Sequence, residues 1–223
     1  MKPRHEWKHE ITAADRLILA SRLSAVARRD GHGQNGRYEI RSLYFDDPQD
    51  TALREKIDGV SRREKFRIRY YSGDVSYICL EKKVKRDGLC GKSSVLLSAQ
   101  EVQALLEGDL DWMPGGGRPL IQELYWKMKS NGLRPKTIVD YTRDAFVFPA
   151  GNVRVTLDYN IRTGLGSTDF LNPRSVTVPA GEVPAILEVK WDEFLPDVIR
   201  NAVQLPGRHT SAFSKYAACR IYG

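Results

Sequence analysis

Arginine, lysine and glutamate recur at every second position in several segments of this sequence. Arg4, Glu6, Lys8 and Glu10 alternate in the first. Lys65, Arg67 and Arg69 alternate with Phe66, Ile68 and Tyr70, and Glu81, Lys83 and Lys85 share a face opposite Ile78, Leu80 and Val84. Tyr141 and Arg143, then Arg154, Thr156 and Asp158, then Glu188 and Lys190 repeat the pattern. A strand sends successive side chains to opposite faces, so each set shares one face. An antiparallel sheet with one face in water gives the same alternation. Two features point elsewhere. The charged faces belong to most of the long strands, and they mix basic with acidic groups in a repeated order. If the sheet closes into a barrel, every strand turns one face inward. Unpaired Arg and Lys would be costly in a dry interior, whereas a wet lumen holding an anion accommodates them. A chain of phosphates fits, because guanidinium forks pair with its oxygens. The carboxylates fit as ligands for a hard divalent ion shared with phosphate.

The elements that must carry these residues can be read along the chain. Arg4 to Ile11 reads as a strand. Thr12 reads as the N-cap of a helix from Ala13 to Arg29, with Leu17, Ala20, Leu23 and Ala27 on one face. After a glycine-rich loop, Arg37 to Phe45 is a strand and Gln49 to Ile57 a short helix. Glu64 to Tyr71 and Val75 to Lys85 form a hairpin, and Gly91 to Leu97 follows as a strand beyond the Gly88 turn. Ser98 and Glu101 make a capping box for a helix ending before Gly108. Leu120 to Ser130 is helical. Lys136 to Phe148, Val153 to Ile161 and Ala185 to Trp191 are strands, with loops at Gly164 to Pro173 and Pro179 to Pro184. Asp192 to Gln204 and Ser211 to Ile221 close the chain as helices. The class is α+β, dominated by an antiparallel sheet.

With 223 residues, 41% of them hydrophobic, the chain is large enough for one core, and no composition shift divides it. We expect a single domain over 1–223. No apolar run is long enough to span a membrane, and the charged start is unlike a signal peptide. Cys79, Cys90 and Cys219 lack metal-ligand spacing and read as reduced thiols of a cytoplasmic protein. The net charge of +7 favours polyanionic partners. His5, His9, His32 and His209 lack the spacing of a metal site. Gly31 to Gly36 and Gly115 to Gly117 lack the Lys-Ser/Thr ending of a phosphate loop and read as flexible.

An ordered set of short segments resembles the VTC domain, the polyphosphate polymerase domain of the vacuolar transporter chaperone complex. They are Arg4-His5-Glu6-Trp7-Lys8, Ser42-Leu43-Tyr44-Phe45-Asp46, Lys65-Phe66-Arg67-Ile68-Arg69-Tyr70, Leu80-Glu81-Lys82-Lys83, Tyr141-Thr142-Arg143-Asp144-Ala145-Phe146, Ile186-Leu187-Glu188-Val189-Lys190 and Phe213-Ser214-Lys215-Tyr216. Each is weak alone, but the order runs over nearly the whole chain. That domain belongs to the triphosphate tunnel metalloenzymes, which include triphosphatases and CYTH proteins. The resemblance implies a closed eight-stranded antiparallel tunnel with helices outside and a C-terminal helix near one mouth. It implies that Arg67 and Arg69 grip the triphosphate of ATP, with Lys8, Lys83 and Lys92 adding charge along the path. Tyr141 and Arg143 would contact phosphate from another wall. Glu188 would hold Mn²⁺ or Mg²⁺ with help from Glu6, and Lys215 would line or plug a mouth. The shared faces add Arg4, Arg154 and Lys190 to the phosphate-binding set.

The implied activity is transfer of the γ-phosphate of ATP to a growing polyphosphate chain, with pyrophosphate or triphosphate as related ligands. A triphosphatase using Glu6, Glu10 or Glu81 as base, and a module that binds without turnover, are the alternatives. Nucleic acid is not expected, because Phe66 and Tyr70 lie opposite the arginines, unlike a stacking platform. Strand parity favours Lys83 over Lys82 as the tunnel lysine, although a one-residue slip would reverse them. Asp158 is either a second metal ligand or the partner of a tunnel arginine. Ala212 stands where the family can carry a second lysine, with Arg208 or His209 as substitutes. No SPX-like domain or membrane segment is seen, so this chain alone is not expected to couple synthesis to transport, and a membrane partner protein is an option.

Overall fold

The computed structural model describes residues 4–86, 89–182, 184–207 and 213–220. The Gly88 turn and the positions of Arg208, His209 and Ala212 lie outside the described residues. The strands are β1 (His5–Ile11), β2 (Arg28–Arg29), β3 (Arg37–Asp46), β4 (Arg63–Tyr71), β5 (Asp74–Arg86), β6 (Leu89–Leu97), β7 (Arg134–Phe148), β8 (Val153–Thr163), β9 (Val178–Pro179) and β10 (Ala185–Trp191). The α-helices are α1 (Ala13–Val26), α2 (Thr51–Ile57), α3 (Ala99–Glu107), α4 (Pro119–Ser130), α5 (Asp197–Val203) and α6 (Lys215–Arg220).

Local signals place most boundaries. Thr12 Oγ1 accepts from the Asp15 amide while Asp15 accepts from the Thr12 amide, which satisfies two otherwise orphaned donors of α1. Ser98 and Glu101 do the same for α3, and Gly108 ends it at φ 85, a conformation that favours glycine. Helix α1 stops at Val26, short of the expected Arg29. Arg28 and Arg29 instead pair with Val147 and Phe146 of β7. The apolar face of α1 also differs from expectation: Leu19 and Leu23 are buried while Leu17 is 60% exposed. The expected helix from Asp192 narrows to the short α5, which begins after Pro196.

All pairings are antiparallel, in the order β1-β10-β8-β7-β3-β4-β5-β6, with β2 and β9 flanking β7 and β8. The apolar faces are covered from outside, as strand parity requires. Phe66, Ile68 and Leu80 pack with Val102 and Leu105 of α3 and with Ile121 and Leu124 of α4. Val155, Leu187 and Val189 pack with Leu19 and Leu23 of α1 and Ile199 of α5. The other face curls around a lumen. Helix α6 fills part of it, setting Tyr216 and Cys219 against Ile40, Val139 and Ile186.

The sheet does not close into the expected eight-stranded barrel. Strands β1 and β6 stand at its two ends, and among the described residues they are not hydrogen-bonded to each other. The sheet is therefore an open, curled half-barrel.

Candidate functional site: a charged lumen

Three walls of the curled sheet turn charged side chains toward one lumen. The first is built by β4, β5 and β6. Arg67 donates from Nε to Glu81 Oε2 at 2.7 Å and from NH1 to the Tyr44 hydroxyl at 2.8 Å. Arg69, 5% exposed, donates to Ser42 Oγ and to the Tyr141 hydroxyl, both at 3.0 Å. Lys92 pairs with the same Glu81. Lys65 lies over the Tyr44 ring, 5.5 Å from its centroid.

The second wall is β7, β8 and α6. Arg143 makes a bidentate pair with Asp158 at 2.6 and 2.8 Å. Lys215 reaches the same carboxylate at 2.5 Å. The Tyr141 ring lies among three cations, with Lys215, Arg143 and Arg69 at 4.6, 5.4 and 5.9 Å from its centroid. The third wall is β1 and β10. Lys8 bridges Glu6 and Glu188, the latter at 3.3 Å. Lys190 holds Glu188 at 2.5 Å, and Lys83 crosses from β5 to Glu6 at 3.6 Å.

Cations exceed carboxylates here, and their fields dominate. Burial would raise the Glu188 carboxyl, but Lys8 and Lys190 hold it well below the ordinary range. Asp158, equally buried, is held down to about 2 by Arg143 and Lys215. Glu81 is lowered by Arg67 and Arg69 against its own desolvation. Burial pushes the Lys65 ammonium down to about 7, with Lys83 and Arg67 adding to the effect and Tyr44 opposing it. Burial likewise opposes ionisation of the Tyr44 phenol, but Arg67, Lys65 and Arg69 draw it down to about 7.

Most of the residues selected by parity and resemblance meet in this lumen: Glu6, Lys8, Arg67, Arg69, Lys83, Lys92, Tyr141, Arg143, Glu188, Lys190 and Lys215. Two sit at the margin of that cluster, Arg154 through a tyrosine that also contacts Arg143. Arg154 is bound to Asp30 at 2.6 Å and to the Tyr38 hydroxyl at 2.7 Å. Arg4 is drawn to Asp192 at 2.8 Å, away from the lumen carboxylates. Lys82 faces outward, paired with Glu64 at 2.8 Å and with Glu123 of α4, so the register is the one that places Lys83 inside. Asp158 pairs with arginine and lysine. Sequence reasoning missed Ser42, Tyr44 and Tyr38 as lumen groups. Strand β3 is buried on both faces over most of its length, which erases the polar-apolar alternation that would have exposed them.

Glu6 and Glu188 fit a divalent ion of the Mn²⁺ or Mg²⁺ class. Both carboxylates converge on Lys8, and such ions take one or two carboxylates and complete their shell with phosphate oxygens and water. Among the described residues no group of three or more His, Cys, Asp and Glu converges to form an all-protein cage.

Comparison with known proteins bears on this arrangement. The sequence profile of the VTC domain matches residues 3–221. Among solved structures, a candidate adenylate cyclase from Bacillus halodurans is 14% identical with a TM-score of 0.50, over 85% of this chain and 80% of that one. The PH1012 protein of Pyrococcus horikoshii is 12% identical with a TM-score of 0.46, over 90% and 85%. The PH1819 protein of the same organism is 14% identical with a TM-score of 0.43, over 90% and 84%. At such identities the likeness concerns the fold alone. Comparison with curated proteins finds no match. The profile match spans almost the entire length, and this chain belongs to the VTC domain family.

Proposed function

We propose that this domain transfers the γ-phosphate of ATP to the end of a growing inorganic polyphosphate chain. The observation that carries this reading is the convergence of Arg69 and Arg143 on Tyr141, with Arg67 beside them on Tyr44, facing the Glu6–Lys8–Glu188 wall across one lumen. Phosphoryl transfer asks for positioning and charge stabilisation more than for covalent chemistry. The three guanidinium groups hold the equatorial oxygens of the γ-phosphate. Lys8, Lys83, Lys92, Lys190 and Lys215 bind the rest of the phosphate path, with Arg154 and Arg4 toward one end of it. An ionised oxygen at the end of the acceptor chain attacks phosphorus. The bond to the bridging oxygen breaks, and ADP leaves with the electron pair. No base is needed, because the attacking oxygen is already charged. A divalent ion on Glu188 and Glu6 supplies charge neutralisation of the phosphate oxygens when bound. Entry of phosphate frees the side chains that now neutralise one another.

Hydrolysis is the competing reading. Tyr44, with its phenol near 7 and in contact with Arg67, offers a base for water that polymer growth does not require. We assign the domain to the cytoplasm, where Cys79, Cys90 and Cys219 stay as free thiols. Among the described residues no helix is long and apolar enough to cross a membrane.

The test is incubation of the purified protein with ATP and Mn²⁺, followed by a gel for polyphosphate and an assay for free phosphate. Polymer that disappears in Arg69→Ala and Glu188→Ala supports the polymerase. Loss of a well-placed donor of this kind costs on the order of 100-fold or more in rate. Free phosphate without polymer selects the triphosphatase, and ATP binding with neither product overturns both.

A further inference from the structure

The balance of charge in the lumen changes from one end to the other. At the end where β1 and β8 begin, the outermost cations are neutralised, Arg154 by Asp30 and Arg4 by Asp192. The antiparallel order puts the start of β4 and the end of β5 at the opposite end. There the lumen face continues beyond Arg67 through two further cross-strand pairs, Lys65 with Lys83 and Arg63 with Lys85. Carboxylates run out in the same direction. Glu81 serves Arg67 and Lys92, and Glu6 reaches Lys83 at 3.6 Å. Among the described residues no carboxylate is ion-paired with Lys65, Arg63 or Lys85. Glu55 lies within the field of Arg63 but makes no ion pair with it. Helix α2 packs against β4 and adds Lys56, likewise without a carboxylate partner among the described residues. Burial pushes the Lys56 ammonium down, and Arg63, Lys8, Lys85 and Lys83 push it further. Lys56, Arg63, Lys65 and Lys85 are all half-buried, so water screens their repulsion less than it would on an open surface.

We propose that this mouth binds the stretch of an inorganic polyphosphate chain that extends beyond a triphosphate, and that Lys56, Arg63 and Lys85 thereby give the domain a preference for long chains; this rests on the reading of the lumen as a phosphate-chain site. Strands rise ~3.4 Å per residue, so Arg63 lies roughly 20 Å along β4 from Arg69. A triphosphate gripped by Arg67 and Arg69 therefore leaves Arg63 and Lys85 without an anion. A longer chain in the same lumen meets Lys65 and Lys83 next, then Arg63 and Lys85. A row of cations matches a ligand that is charged at every unit, and both ammonium and guanidinium groups bind phosphate oxygens. Nucleic acid fits less well, because single strands draw much of their affinity from bases stacked on aromatic rings. The ring beside Lys65, that of Tyr44, is already stacked on Tyr216 at 5.0 Å.

Tripolyphosphate and a long inorganic polyphosphate of defined length are titrated separately into the full domain by calorimetry. Arg63→Gln combined with Lys85→Gln should weaken the long chain about tenfold or more and change tripolyphosphate affinity by less than about threefold. Arg63→Lys combined with Lys85→Arg keeps both charges and should retain the affinity for the long chain. Lys56→Gln, a single change on α2, should weaken the long chain by about threefold or more and leave tripolyphosphate unchanged. Urea unfolding of each variant confirms that it is folded. Equal weakening of both ligands, or no weakening of either, would overturn the inference and leave the phosphate-chain site intact. Single-stranded oligothymidylate that binds the parent as tightly as the long chain, and is weakened by the same variants, would mark a general polyanion patch and also overturn it. If the parent binds neither phosphate ligand, both this inference and the proposed function fail.

Discussion

Asp158 offers a direct measure of how strongly the lumen is poised for an anion. Its carboxylate is 0% exposed and is clasped by Arg143 and Lys215. Burial alone would raise its pKa, but the two cations hold it at about 2, against an ordinary 3.8. That difference corresponds to about 2.5 kcal/mol of stability near neutral pH. The folded value lies below the unfolded one, so the contribution is complete above about pH 4 and is lost as pH falls toward about 2. Asp158→Asn keeps the shape, removes the charge and leaves two buried cations uncompensated. The expected cost is about 2.5 to 5 kcal/mol near neutral pH. A bound phosphate chain would replace the missing negative charge. Tripolyphosphate should therefore stabilise the variant more than the parent and recover most of the loss. Urea unfolding followed by circular dichroism, with and without tripolyphosphate, reads both quantities. A loss under about 1 kcal/mol would refute the stability argument. Equal stabilisation of parent and variant would refute the claim that the ligand takes over the role of Asp158.

Neighbouring lysines should separate by face. Lys83→Ala should weaken tripolyphosphate binding about tenfold with little change in stability; Lys82→Ala should cost about 1 kcal/mol of stability through loss of its Glu64 and Glu123 contacts, with binding unchanged. Calorimetry together with urea unfolding decides, and the reverse pattern would place Lys82 in the lumen. Lys65 loses its charge as pH rises through about 7, so tripolyphosphate affinity should fall between about pH 6 and 8. Lys65→Arg keeps its charge over that range and should show a shallower fall, the titration of the ligand being common to both proteins. Indistinguishable profiles would exclude Lys65 from the binding path. Tyr216 donates to buried Asp46 at 2.7 Å, and Tyr216→Phe should cost about 1.5 to 3 kcal/mol in urea unfolding. A cost under about 0.5 kcal/mol would show that this bond does not anchor α6.

Legibility in the sequence followed the range of the forces involved. The period of two along β1, β4, β5 and β10 is set by backbone geometry within a few residues. It sorted Glu6, Lys8, Arg67, Arg69, Lys83 and Glu188 onto the face that turns inward, and it separated Lys83 from Lys82. Capping at Thr12 and Ser98 was equally local and equally readable. Strand β3 hid its lumen residues because both of its faces are covered, so Ser42 and Tyr44 carried no alternation. Helix α1 broke early because a partner strand distant in sequence claimed Arg28 and Arg29.

Tertiary structure alone decided which charges neutralise which. Asp158 meets Lys215, 57 positions further along the chain, and Arg4 is drawn to Asp192, because pairing energy depends on distance in space and not on strand parity. It also decided that the sheet stays open. Alternation states which face turns inward but not whether the first and last strands of the order meet. That outcome depends on the accumulated curl of the whole sheet. The sequence by itself thus determined a cation-rich inner face, and the fold determined that this face lines an open, curled half-barrel.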